Sequence, residues 1–151
     1  MNVGGHLEKI RRLNALRSRL DPIDDFELWF WAGMTAGTHA VNAALHNAGI
    51  TDDADMFATQ PGVYLVRQSD DSWCPAFRPL GDVLHVGRPK VDGPVPDGIA
   101  AMMHAMETVE QHRDPCLRGR RAATPQIVRQ CSDALAECFR HLETQLAGDA
   151  R

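Results

Sequence analysis

His39 and His46 stand seven residues apart in "THAVNAALH", with Asn42 between them. At one hundred degrees per residue these three and Thr35 fall on one helix face. Histidine at such a position is a metal ligand or an acid–base group, and an asparagine beside it can orient a substrate. Two helical turns, about 10 Å of axis, separate the two rings. A metal therefore needs a further ligand from elsewhere, and His85 is the obvious third. The stripe also lies opposite the apolar face of its own helix, so it reads first as the solvent side. On that reading no metal and no cofactor is expected.

Glu110 and Arg113 form a second polar pair. They fall within the arc of Ile99, Met102, Met106 and Val109, so an otherwise apolar seam turns charged near its end. Three residues apart, the two can pair with each other, and charges facing inward are costly unless they do. The loop that follows, "RDPCLRGRR", adds Arg118, Arg120 and Arg121. It is a candidate surface for an anion or RNA, although no aromatic residues are interleaved to stack bases. A third group, His85, Arg88 and Lys90, lies in "LHVGRPKVDGPVPDG". That stretch lacks the spacing of a phosphate-binding loop. Its three prolines make it a stiff strap.

Two other patterns resolve as core. Cys131 and Cys138 sit seven apart on an apolar stripe, where thiols behave as small hydrophobes. Met102, Met103 and Met106 cluster on the seam of one helix. No Glu-x-x-His pair occurs of the kind a di-iron bundle requires; Glu137 and His141 are four apart on a polar face.

The chain that must position these groups has 151 residues, enough for one domain, 1–151, with a core independent of disulfides or metal. A formal charge of −4 argues against broad electrostatic binding to nucleic acid. No apolar run reaches membrane-spanning length. The start "MNVGGHLEKIRRLNAL" lacks the features of a signal peptide. A cytoplasmic protein with reduced cysteines is the expectation, and none of the four forms a C-x-x-C pair.

Four helical patterns surround one irregular middle. The first runs from about Gly5 to Leu20, with Ile10, Leu13, Arg17 and Leu20 on one face. Asp21-Pro22 is placed to cap and start the second, which runs to about Ala48 with Gly49 as its stop. Its apolar stripe is small: Gly33, Gly37, Ala40, Ala44 and Ala48 let another helix come close. With Trp29 and Trp31 flanking, that face predicts a homodimer. The insert, about 51–97, holds at most a small hairpin from "GVYLVRQ" and "WCPAFRP" around the turn "SDDS". The third helix begins near Asp97 and runs to about Arg113; the fourth starts at Thr124-Pro125. The expected fold is all-α, a four-helix bundle with a long irregular insert between helices 2 and 3.

Four helices, a polar centre and basic residues in "RDPCLRG" between the third and fourth make the chain similar to the HEPN superfamily. The resemblance covers the helical plan. It implies a compact helical bundle, often dimeric, in a group that includes ribonucleases and partners in toxin–antitoxin systems. The family's nuclease signature is an arginine, a polar residue and, a few residues later, a histidine. Here Arg78 and His85 have the gap, but Pro79 follows the arginine; Arg113 is followed by Asp114, but no histidine comes at the needed distance.

Three functions compete on this reading. The first is a non-catalytic module that binds a protein or a small anionic ligand through the insert and the 113–121 loop. The second is a HEPN-like RNA-processing enzyme with an atypical site at Glu110, Arg113 and Arg118. The third is a metal-dependent hydrolase using His39, His46 and His85.

Overall fold

The computed structural model describes residues 1–53, 63–77, 81–83, 86–87, 89, 91 and 93–148, with backbone alone for 63–67 and 73–77. Its element order is α1 (Val3–Arg17), α2 (Phe26–Asn47), β1 (Val63–Arg67), β2 (Trp73–Phe77), α3 (Asp97–Glu110) and α4 (Pro125–Gly148), the four-helix plan with its insert. No helix among the described residues is long and apolar enough to cross a membrane.

The helix ends follow local chemistry. Asn2 caps α1, its Oδ1 accepting from the Gly5 amide at 2.8 Å. Asp21 does not begin α2. Its side chain accepts from the amides of Ile23 and Asp24, closing a separate turn, and the helix starts only at Phe26. At the other end Gly49 takes φ +67°. Its amide reaches His46 O while Ile50 N reaches Leu45 O, a glycine-terminated helix end that few other residues could make. Thr124 caps α4 through Oγ1, and Pro125 opens it, where a missing N–H costs nothing. The third helix stops at Glu110, earlier than its periodicity suggests. Pro115 cannot donate, so the ladder slips into one π-helical turn, Asp114–Arg118, with Gly119 N on Asp114 O.

α1 and α2 run antiparallel, since His6 meets His39 near the end of α2 while Arg17 lies over Trp29 near its start. The second helix is central and packs on α1, α3 and α4. Its small face is consumed inside the chain. A Cβ on Gly33 would come within 2.8 Å of Leu135 Cδ1, and one on Gly37 would overlap the Met106 thioether. Gly33, Gly37, Ala40 and Ala44 are all buried there. The argument for a homodimer from this face therefore fails: α3 and α4 of the same chain fill the notch. The seam of α3 (Ile99, Met102, Met106, Val109) and the stripe of α4 (Ile127, Cys131, Leu135, Cys138, Leu142) complete the core as their periodicity predicts.

In the insert, β1 and β2 pair antiparallel with Leu65 opposite Pro75. The turn is set by Asp70, whose carboxylate accepts from the amide and hydroxyl of Ser72. Val83 and Val86 leave the insert to join the core. Gly87 lies flat on α3, where a Cβ would meet the Glu107 backbone at 3.3 Å.

Candidate metal centre

The polar stripe of α2 is not its solvent side. Thr35 is exposed, but Asn42 is 2% exposed and the His46 side chain is equally hidden. The start of α1 and residues 81–83 cover this face. His6 brings the first cover. It is fully buried, although it stands near the end of a helix whose average character is polar.

Asp82 brings the second cover, and the histidines converge on it. His6 Nε2 lies 3.2 Å and His46 Nε2 2.9 Å from the same carboxylate oxygen, Oδ1. The Met1 amine reaches that oxygen at 3.1 Å. The ligand atoms of His6, His46 and Asp82 all lie within 4.8 Å of one another. Bond lengths of about 2.0–2.2 Å to a divalent ion place neighbouring ligand atoms about 2.8–3.6 Å apart across octahedral and tetrahedral geometries. The separations from Oδ1 to the two rings fall within that range.

Each ring is held from behind. His6 Nδ1 hydrogen-bonds His39 Nδ1 at 2.9 Å, and His46 Nδ1 hydrogen-bonds the Thr51 hydroxyl at 2.7 Å. This is the outer-shell arrangement that fixes ring orientation in metal sites. It also accommodates either tautomer, because a hydroxyl and a neutral imidazole both donate and accept. With protons on Nε2, both rings donate to Asp82 Oδ1. With protons on Nδ1, two nitrogen lone pairs and a carboxylate face one point, the donor set a divalent cation takes.

Asp82 owes its place to Asn42. The Asn42 amide donates to Val83 O at 3.0 Å and its Oδ1 accepts from Val83 N at 2.6 Å, clamping the peptide next to the aspartate. Spare donor capacity on Asn42 goes to Thr38 O, one turn back on α2. Every polar group of this buried amide is thus used for position.

Burial sets the electrostatics. It pushes the His6 ring down to about 4, with the Asp82 charge only partly opposing it. His39 is lowered for the same reason. For Asp82, burial pushes upward, but the bonds from His46 and the Met1 amine and the proximity of His6 outweigh it and leave the carboxyl below its ordinary range. At neutral pH the site therefore holds a carboxylate facing neutral imidazole at His6, the protonation states a metal requires.

The sequence-predicted residues divide on this map. His39, Asn42 and His46 come together, with His39 behind His6 rather than at the point of convergence. His85, Arg88 and Lys90 lie outside the described residues. Glu110 and Arg113 pair as their spacing predicts, at 2.9 Å and about a quarter exposed. Arg113 also reaches Asp114, and exposed Arg118 meets the same carboxylate at 3.5 Å. Two site residues are new. His6 was legible in principle, four residues before Ile10 and eleven before Arg17 on their face. Asp82 has no local signal, because it belongs to no periodic element.

Comparison of the chain with protein-family models, curated proteins and solved structures returns no match. The resemblance to HEPN proteins rests on the helical plan alone.

Proposed function

We propose that the protein is a metal-dependent hydrolase whose divalent ion is held by His6, His46 and Asp82. The observation that carries the reading is the convergence of Nε2, Nε2 and Oδ1 from three separated parts of the chain, with each ring backed by its own hydrogen-bond partner. Buried polar groups are expensive to gather, and a set limited to two imidazoles and one carboxylate leaves coordination positions for water and substrate. A divalent ion held by His6, His46 and Asp82 would supply Lewis-acid activation of a water molecule. The chain's own residues supply geometry: His39 and Thr51 fix the two rings, and Asn42 fixes the carboxylate through Val83.

The ligand set differs from the one the sequence suggests: His39 stands behind His6, and Asp82 contributes the oxygen. An RNA-processing role at Glu110 and Arg113 has less behind it, since those charges are committed to one another.

Metal content of protein purified without a histidine tag, followed by zinc, iron(II) and manganese titrations of the chelated protein, tests the proposal. About one equivalent of one of these ions should bind tightly and be lost in His46→Ala and Asp82→Asn. Metal-loaded protein should hydrolyse a p-nitrophenyl ester or phosphate, and chelation should stop it. Binding that survives both substitutions removes the site. Stoichiometric binding with no chelator-sensitive hydrolysis on either probe keeps the site and removes the hydrolase.

A further inference from the structure

The other end of α1 carries a feature that the metal centre does not use. Arg17 lies eleven residues from His6, about 16 Å along the helix. It lines a cleft of about 360 Å³ between α1, α2 and α4, with Asn14, Trp29, Ser132 and Phe139. That volume falls at the lower end of small-ligand sites.

The cleft holds charge without countercharge. The Arg17 guanidinium stacks over Trp29, with its carbon 4.5 Å from the ring centroid, and Nη2 donates to Ser132 Oγ at 3.2 Å. Its Nε is buried and has no partner among the described residues, and neither has Asn14 Oδ1 one turn earlier. Among the described residues no carboxylate pairs with this guanidinium. Four other arginines do have carboxylate partners: Arg11 and Arg12 on Glu8, Arg113 on Glu110, Arg118 on Asp114. Burial pulls Arg17 below its ordinary range, and the neighbouring Cys131 thiol only partly opposes it. Arginine does not escape by losing its proton, so an anion entering the cleft would relieve that cost.

We infer that this cleft is a binding site for a small organic anion, a carboxylate or phosphate on an aromatic or apolar body. Arg17 supplies charge and a planar fork of donors. Trp29 places its ring face against the guanidinium from one side. Phe139 offers apolar surface for the body of the ligand, and Asn14 Oδ1 accepts from a hydroxyl or amine on it. This site stands independently of the metal proposal.

Calorimetric titration with benzoate, phenyl phosphate and inorganic phosphate is the test, paired with NMR shifts of the Trp29 indole and the Ser132 and Phe139 amides. Benzoate or phenyl phosphate should saturate one site with a Kd of about 1 mM or tighter, with shifts centred on those residues. Whichever binds tighter identifies the head group. Arg17→Gln should weaken it at least about tenfold, while Arg11→Gln, exposed and paired with Glu8, leaves it unchanged. Inorganic phosphate binding as well as either organic probe overturns the organic-anion reading. Absence of saturation by both organic probes, or binding that Arg17→Gln does not weaken, overturns the site. Should that variant not fold, wild-type shifts lying away from the cleft do the same.

Discussion

Two polar clusters lie at opposite levels of organisation. Glu110, Arg113 and Asp114 are sequence neighbours whose ion pairs form within one turn and stay partly in water. His6, His46 and Asp82 come from α1, α2 and the insert, and the two rings are buried almost completely. The local set pairs within itself and stays open to water. The long-range set gathers three separate segments on one oxygen, and Asn42 and Thr51 are spent holding it there. A pair at i, i+3 costs little to make, so it says little about function. Groups collected across the fold cost desolvation and chain entropy, and that expense makes them the stronger candidate site.

Substitutions can break or sharpen this contrast. The largest effect should come from Asp82→Ala, which strands two buried imidazoles without their acceptor. Urea unfolding should show a loss of about 2–4 kcal/mol, and metal binding should vanish. Asp82→Asn keeps the shape; it should cost less stability yet lower metal affinity at least about 100-fold, separating ligand from structural role. Next in size is Asn42→Ala. Losing both bonds to Val83 should cost about 2–3 kcal/mol and reduce metal affinity about 10–100-fold although Asn42 touches no metal. An unchanged affinity would show that the 81–83 segment is held without the clamp.

His112 tests the local cluster from inside. It is 6% exposed, and neither ring nitrogen has a partner among the described residues. Burial, then the charge of Arg121, lowers its pKa below the ordinary 6.5. The unfolded chain therefore binds this proton more readily. Its contribution to stability is full above pH 6.5 and is lost as pH falls from there through the lowered folded-state pKa. His112→Leu should remove that part of the acid sensitivity and stabilise the fold by about 1 kcal/mol, read from melts between pH 4 and 8. The smallest effect belongs to Glu110→Gln, below about 1 kcal/mol and reduced further by salt. A larger loss there would erase the distinction between the two clusters.

Much of the fold was legible because its causes are local. The seam of α3, the stripe of α4, the Gly49 stop and the Thr124-Pro125 start are all patterns of spacing or capping within a few residues. Where the reading went astray, a competing interaction had been overlooked. Asp21 closed its own turn before α2, and Pro115 turned the end of α3 into a π turn. The Gly33–Gly37 notch is a genuine close-packing face, but sequence spacing does not say whose helix fills it; Met106 and Leu135 of the same chain do.

The sequence by itself determined the helices, their apolar faces and the alignment of His39, Asn42 and His46 on one side of α2, because helical geometry fixes which residues share a face. Only the tertiary structure decided that this side is covered. His6 arrives because α1 folds back antiparallel to α2, and Asp82 arrives because Asn42 captures the Val83 peptide. Such convergence depends on contacts between residues far apart in the chain, where periodicity carries no information.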